Sequence, residues 1–282
     1  MVLDVVDLCD FYGTSLGSVA RRMIRRQVRA VWPNLRGLRV LGLGYATPYL
    51  TPFTDEAAHV ASVMPTRLGI LAWSARTTGD RNRTLVAHED EIPLPDLSVD
   101  RVLLVHGLEY SENTNLMLRE TWRILSDGGR LLVAVPNRRS IWARAEHTPF
   151  GHGHPFSREQ LNKALRESMF TPVHHGRALF FPPSRRRFWL SAAPAWERVG
   201  RRWLSPVGGV TIVEATKQIY GGAFVGQKAR RRSYLRLPLT GTAMAQGSST
   251  NSARSGRSPA LSEDLSSDRF SCANAPSHSG LS

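Results

Sequence analysis

The segment VLGLGYATPY, residues 40–49, carries the residues best suited to holding a nucleotide. An apolar run leads into Gly42-Leu43-Gly44, and glycine at such a turn lets a ligand approach the backbone because it has no Cβ. The dinucleotide-binding pattern Gly-x-Gly-x-x-Gly fails at its third glycine, where Thr47 stands, and the Gly-Lys-Ser/Thr of a phosphate-binding loop is missing. The segment therefore favours a shorter turn for a cofactor without a pyrophosphate.

Four histidines are the other candidates for chemistry. His106 follows an apolar segment, and ligands of open α/β sheets bind outside the carboxyl ends of strands; the alternative is a hydrogen-bonded packing residue. His147, His152 and His154 lie in the loop AEHTPFGHGHPFS and are candidate proton acceptors. Because they have no acid or cysteine partners at ligand spacing, the sequence predicts no metal site.

The elements that must position these residues alternate between strand and helix, which predicts an α/β fold with a mostly parallel sheet and helices on both faces. Hydrophobic periodicity and capping residues predict helices at 15–31, 54–63, 113–129, 158–169 and 186–203. Apolar runs predict strands at 38–43, 67–73, 85–87, 101–105, 130–136, 173–181 and 209–217.

Composition divides the chain into an N-terminal helical segment, residues 1–35, a globular domain, residues 36–237, and a Ser/Gly-rich tail, residues 238–282. At 282 residues and 41% hydrophobic content the chain can bury one substantial core. The tail has few aliphatic or aromatic residues, so it cannot offset its ordering entropy, and we expect it to be disordered.

The net charge of +14 comes almost entirely from arginine. Such a charge leaves a nucleic acid or the surface of an anionic membrane open as a partner, with nucleic acid the less favoured. No apolar run reaches the roughly 18 residues needed to cross a bilayer. The start, MVLDVVDLCD, carries acids where a signal peptide needs positive charge, so we expect a cytoplasmic protein.

Three segments, in this order, resemble the class I S-adenosylmethionine-dependent methyltransferases, and among them the small-molecule enzymes of the ubiquinone-biosynthesis type. They are VLGLGYA, EIPLPDLSVDRVLLVHGLEY and LRETWRILSDGGRLLVAVPN. The resemblance implies a Rossmann-like, seven-stranded, mostly parallel sheet and S-adenosyl-L-methionine as cofactor. It also implies transfer of a methyl group to a small-molecule or lipid-like acceptor, which the sequence does not identify.

The resemblance also implies which residues contact the cofactor. Gly42 and Gly44 would let the loop touch its methionine part, with Tyr45 and Ala46 contributing backbone groups. The position near the adenine falls at Glu89 or Asp90. His106 would face the cofactor or the acceptor.

Two positions depart from the family pattern. Gly42 stands where the family carries an acid, and Trp73, at the end of the predicted second strand, stands where a carboxylate binds the ribose; Trp73 could instead pack on the adenosine. Asp100 matches a structural acid at the start of the fourth strand. These departures keep a second function open, namely a catalytically inactive methyltransferase-like protein that binds or regulates.

Aromatic residues leave two further alternatives open. Trp189, Trp196 and Trp203 alternate with arginines, which is typical of an RNA-binding methyltransferase or, more simply, of one apolar helix stripe. A second set suggests an aromatic-lined acceptor pocket, although core packing explains it equally well: Tyr12, Trp142, Phe150 and Phe156.

Overall fold

The computed structural model describes residues 4–73, 82–203 and 207–218 of the chain. Its sheet has seven strands in the order β3-β2-β1-β4-β5-β7-β6. Neighbouring strands are parallel except β7, which is antiparallel to both β5 and β6. The strands are β1 (Arg39–Gly44), β2 (His59–Pro65), β3 (Thr84–Ala87), β4 (Val99–Val105), β5 (Leu125–Pro136), β6 (Phe170–Ala178) and β7 (Val210–Lys217). This confirms the α/β fold with a mostly parallel sheet; the tail at 238–282 lies outside the described residues.

Six α-helices surround the described sheet. They are α1 (Val5–Gly13), α2 (Ser15–Val31), α3 (Thr47–Leu50), α4 (Thr114–Ile124), α5 (Arg158–Glu167) and α6 (Arg187–Trp203). The prediction for α2 is confirmed at both ends, and α5 begins with the predicted capping box, in which Ser157 and Gln160 exchange hydrogen bonds of 2.9 and 3.1 Å. None of these helices, within the described ranges, is long and apolar enough to cross a membrane.

The helices cover both faces of the sheet. Residues of α1, α2 and α6 pack in one hydrophobic cluster, and residues of α4 and α5 pack in the other. In β4 the successive residues Leu103 and Leu104 belong to opposite clusters and are both fully buried, which is why residues 102–105 of this parallel strand form a continuous apolar run.

Two tryptophans of α6 lie beside each other, and the side chain of Trp203 lies outside the described part of the chain. Trp189 and Trp196 lie with their ring centroids 5.5 Å apart, and both are partly buried. Trp196 packs against the cluster formed by α1 and α2. This arrangement favours an apolar helix stripe over a set of stacking platforms for bases.

The predictions of a helix at 54–63 and a strand at 67–73 are wrong. Residues 59–65 form β2, which pairs in parallel with β1 along five residues, and the connection from β1 to β2 contains the four-residue α3 and one 3₁₀ turn. Val60, Val63 and Met64 are buried there, so pairing and burial outweigh the helical composition of the preceding residues. Because β2 ends at Pro65, Trp73 does not follow the second strand.

Asp100 ties together the amino ends of β1 and β4. Its carboxylate accepts two hydrogen bonds of 3.0 Å from the Arg39 guanidinium, one of 2.9 Å from the Arg39 backbone and one of 2.9 Å from Ser126 Oγ. The hydrogen bond from the Arg39 side chain has the largest effect on the pKa of Asp100. Together with the hydrogen bonds from the Arg39 backbone and from Ser126, it lowers this pKa to about 2. The carboxylate therefore stays ionised and holds the two central strands in register.

We predict that Asp100→Asn lowers the free energy of unfolding by about 1 kcal/mol at pH 7, after allowing for the partial exposure of the pair. The folded-state pKa lies below the unfolded value of about 3.9, so the carboxylate stabilises the fold above about pH 4. This contribution is lost as the pH falls toward 2. Urea denaturation at pH 7 and down to pH 3 measures it.

The matched control is Asp127→Asn, which neutralises an exposed aspartate near the start of β5. The control should change the unfolding free energy by less than about 0.5 kcal/mol. A deficit in Asp100→Asn that is as large at pH 3 as at pH 7 would contradict the assigned role of the charge.

Candidate functional site

Gly44 brings the carboxyl ends of β1 and β4 into direct contact. Its φ of +80° is in the left-handed region that favours glycine, and a Cβ on it would lie 2.4 Å from the Val105 carbonyl oxygen. A Cβ on Gly42 would lie 2.5 Å from Leu50 and 2.7 Å from the Ala46 Cβ. Both glycines therefore make room for the chain itself.

The loop after β1 is buried throughout. Every residue from 40 to 50 is buried, and Tyr45 and Ala46 expose 1% and 0% of their surface. Side chains from other elements pack on the loop, among them Tyr12 of α1. Neither Tyr45 nor Ala46 lines any of the cavities described below.

Tyr12 of α1 is the side chain that covers the loop. Its ring is stacked on Tyr45, with centroids 5.7 Å apart and ring planes 19° apart. Its hydroxyl lies 2.7 Å from His106 Nε2 and accepts a hydrogen bond of 2.8 Å from the Tyr49 hydroxyl. Burial raises the pKa values of all three tyrosines above 10, so they remain neutral phenols at physiological pH.

His106 is the centre of a buried hydrogen-bonded chain. It follows β4 directly, and its φ of +48° is unusual for a residue other than glycine. The Nδ1 atom lies 3.0 Å from Glu109 Oε1, and the second oxygen of this carboxylate is buried without a hydrogen-bond partner among the described atoms. The predicted site residue His106 thus lies at the expected end of β4, but it contacts Tyr12 and Glu109.

A cavity of about 400 Å³ opens at the carboxyl ends of β2 and β3, and we call it the β2–β3 cavity. It contains both predicted acids. Glu89 accepts hydrogen bonds from Ser111 Oγ at 2.6 Å and from the Glu112 backbone at 3.1 Å, so it also fixes the loop before α4. Asp90 is exposed at its rim. The remaining lining residues are Pro65, Thr66, Arg67, His88, Asn113 and Leu116.

Trp73 is not among the residues that line the β2–β3 cavity. It lies in the segment between β2 and β3 and is 6% exposed. Its backbone nitrogen donates to Asn82 Oδ1 at 3.1 Å, and its carbonyl oxygen accepts from the Arg83 backbone at 2.9 Å. Since β2 ends at Pro65, the reason for placing Trp73 near a ribose is removed. No carboxylate occurs at that strand end either, where the sequence reads Met64-Pro65.

A second cavity, of about 480 Å³, lies next to the first, and we call it the β4–β5 cavity. Arg67 and Glu112 line both cavities and form an ion pair, so this pair stands between the two spaces. The other lining residues are Leu68, Glu109, Tyr110, Ser111, Thr114, Gly153, His154 and Phe156.

The three loop histidines occupy different surroundings. The His147 and His152 rings lie within 3.0 and 2.7 Å of backbone carbonyl oxygens. His154 lines the β4–β5 cavity, and its backbone nitrogen donates to the Glu109 carbonyl at 2.8 Å. Among the described residues no group of three acids, histidines or cysteines is arranged to hold a metal ion.

Of the four aromatic residues considered for an acceptor pocket, three belong to the core. Tyr12, Trp142 and Phe150 are at most 2% exposed, whereas Phe156 lines the β4–β5 cavity. Sequence reasoning missed α1 and therefore the position of Tyr12. The signal that could have found α1 is Asp4 followed by Asp7, a pair that forms a capping box.

We predict that Tyr12→Phe lowers the free energy of unfolding by about 1–3 kcal/mol, because it leaves the His106 ring nitrogen and the Tyr49 hydroxyl buried without their partner. Tyr110→Phe is the matched control, since its hydroxyl makes one hydrogen bond, of 2.7 Å, to the Pro149 carbonyl oxygen. Urea denaturation compares the two. A loss in Tyr12→Phe no larger than in the control would contradict a shared network.

Known proteins resemble this chain both in sequence and in fold. Residues 41–133 match the family model described as "Methyltransferase domain". An S-adenosylmethionine-dependent methyltransferase from Thermotoga maritima shares the fold, with a TM-score of 0.52 and 22% identity, over 72% of this chain and 92% of that one.

Two curated relatives share higher identity over shorter segments. A "Probable S-adenosylmethionine-dependent methyltransferase" of Mycolicibacterium smegmatis is 36% identical over 74 residues, which are 26% of this chain and 27% of the relative. One of Mycobacterium tuberculosis is 30% identical over 100 residues, 35% of this chain and 36% of the relative. The match thus spans about a third or less of each relative. In its matched segment and in its fold, this chain is therefore similar to S-adenosylmethionine-dependent methyltransferases.

Proposed function

We propose that this chain transfers a methyl group from S-adenosyl-L-methionine to a small-molecule or lipid-like acceptor. The match of residues 41–133 to a methyltransferase domain, and the S-adenosylmethionine-dependent relatives that the chain resembles, support this cofactor. The observation that carries the proposal is the pair of adjoining cavities at the carboxyl ends of β2 to β5, the edge at which ligands of open α/β sheets bind. One cavity would take the nucleoside and the other the acceptor.

The β2–β3 cavity fits the nucleoside part of the cofactor. Its volume of about 400 Å³ falls within the range of small-molecule sites. Asp90 is the acid at its rim that is available for the adenine, because Glu89 already accepts bonds from the loop before α4. Thr66 and Arg67 follow β2 where the family carries an acid, so hydroxyl and guanidinium donors replace a carboxylate beside the ribose.

The loop after β1 does not fit the methionine part while Tyr12 lies on Tyr45. A ligand there needs the space that the Tyr12 ring fills, and removing the ring breaks its hydrogen bonds to His106 and Tyr49. Cofactor uptake therefore requires displacement of Tyr12 with part of α1. The affinity is reduced by the free energy that this displacement costs.

The β4–β5 cavity has the mixed lining that a small acceptor requires. Leu68, Tyr110 and Phe156 provide apolar and aromatic surface, and His154 provides a ring that can take a proton. The cofactor supplies an electrophilic methyl group, so the protein has only to orient the acceptor and to remove its proton. We assign that second task to His154.

We predict that Tyr12→Ala binds S-adenosylmethionine at least about tenfold more tightly than the wild type, because it removes the ring from the loop. Tyr12→Phe is the matched control: it also loses the hydroxyl but keeps the ring, so its affinity should rise less. Isothermal titration calorimetry measures all three, with circular dichroism to show that each protein is folded.

A folded Tyr12→Ala protein that takes up no cofactor at millimolar concentration would contradict the proposed function. The buried loop is the observation that favours the second candidate, a catalytically inactive methyltransferase-like protein that binds or regulates. Formation of S-adenosylhomocysteine with any acceptor would exclude this second candidate.

For the acceptor, mass spectrometry of small molecules released when the purified protein is denatured provides compounds for a methylation assay. With an acceptor in hand, His154→Gln should lower kcat by about 10² or more, the usual contribution of a general base. His152→Gln is the control, since that ring lies against the Glu146 carbonyl oxygen instead of in the cavity. Equal activity of the two variants would rule out the role assigned to His154.

A further inference from the structure

Helix α6 exposes apolar side chains on the side that faces solvent. Phe188 is 70% exposed and Val199 is 51% exposed. They are separated in the sequence by about three helical turns, so they lie along one line of the helix. Ser191 and Ala195 are exposed between them on the same side. Together with the adjacent arginines, these residues form what we call the outer face of α6: Arg187, Phe188, Ser191, Ala195, Arg198 and Val199.

A line of arginines runs beside the apolar line. Arg187 and Arg198 each precede one of the two apolar residues, so they are also about three turns apart. Arg186 is exposed at the start of the helix as well. Within the described ranges, these three guanidinium groups form no hydrogen bond and no ion pair. The outer face therefore carries positive charge and contains no acid.

The opposite side of α6 packs on the domain and fixes which residues face outward. Ala193 is fully buried, and a Cβ on Gly200 would lie 2.3 Å from the Phe180 side chain. Glu197, the acid of this helix, is 5% exposed and accepts a hydrogen bond of 2.6 Å from the Leu179 backbone. The apolar surface of the outer face is thus not used in the fold and is available to a partner.

An anionic membrane surface matches this combination of side chains. A helix that lies in the plane of a bilayer inserts its apolar residues at the boundary between headgroups and acyl chains. Adjacent arginines extend their aliphatic stems along the apolar surface and reach the lipid phosphates. Because the apolar and basic lines run side by side along α6, both meet a flat surface together.

A nucleic acid matches the outer face less well. Bases stack on aromatic rings, and Phe188 is the one aromatic residue of this face. Ala195 and Val199 offer no ring. Trp189 and Trp196 are partly buried, with their ring centroids 5.5 Å apart. The aliphatic part of the outer face therefore favours a lipid surface.

We propose that the outer face of α6 docks this protein on a membrane surface that contains anionic lipids. Phe188 and Val199 enter the boundary below the headgroups, and the arginines contact the phosphates. The net charge of +14 attracts the chain toward such a surface. The outer face lines neither the β2–β3 cavity nor the β4–β5 cavity, so this proposal does not rest on methyl transfer.

The test is sedimentation of the full chain with vesicles, either of phosphatidylcholine alone or of an equimolar mixture with phosphatidylglycerol. We expect binding to the mixture and weaker binding at higher salt. Phe188→Ala should lower the partition coefficient about tenfold, because it removes the ring and keeps every charge. The double variant Arg187→Gln with Arg198→Gln should lower it about 25-fold, or about fivefold for each arginine.

Two matched controls remove similar groups from the other side of the sheet. Leu97→Ala shortens a side chain that is 46% exposed, in a residue whose backbone nitrogen donates to the Arg123 carbonyl at the end of α4. Arg119→Gln removes an exposed charge from α4. Both should stay within about twofold of the wild type, since only the general charge or apolar surface changes. Circular dichroism shows that each variant is folded.

Two results with vesicles would overturn the proposal. One is a wild type that does not sediment with the mixed vesicles. The other is a loss of binding in the controls as large as in the variants of the outer face. A single-stranded RNA oligonucleotide provides the remaining comparison, by fluorescence anisotropy. RNA binding that depends on Phe188 and on the two arginines, without vesicle binding, would replace the membrane with a nucleic acid as partner.

Discussion

The close approach of β1 and β4 at Gly44 is the constraint on which the site depends. A side chain at this position would collide with the carbonyl oxygen of Val105, so only glycine lets the two strand ends meet. Their contact places the loop after β1 directly beside His106 and Glu109. Tyr12 can then bridge the two strand ends, stacked on Tyr45 and hydrogen-bonded to His106. The same contact that builds the fold therefore brings the candidate cofactor loop under a covering side chain.

Local signals predicted the elements with strong periodicity or clear caps. Helix α2 and the start of α5 agree with the sequence because an apolar stripe and a capping box act within one helix. Strand β2 was missed because residues 54–58 have helical composition, and because the pairing that decides its structure comes from β1. That error moved the predicted end of the second strand from Pro65 to Trp73.

The candidate site was predictable only in part. The position of His106 after β4 and of Glu89 and Asp90 after β3 follows from strand order, because the carboxyl ends of parallel strands share one edge. The closure of the loop after β1 depends on Tyr12, which lies more than thirty residues from Tyr45 in the sequence. Long-range packing of this kind has no periodic signature in a single sequence. Its one local sign is Thr47 at the position of the third glycine, since a residue with a side chain can be packed against.

The ion pair between Arg67 and Glu112 has a consequence for ligand size. Both side chains are more than half exposed, so the pair contributes little stability and its ends can turn into solvent. The partition between the two adjoining cavities is thus made of two exposed side chains and not of backbone. When these side chains swing apart, the two compartments become one continuous groove. The upper limit on the molecules that this edge of the sheet admits is therefore set by rotamers and not by the fold.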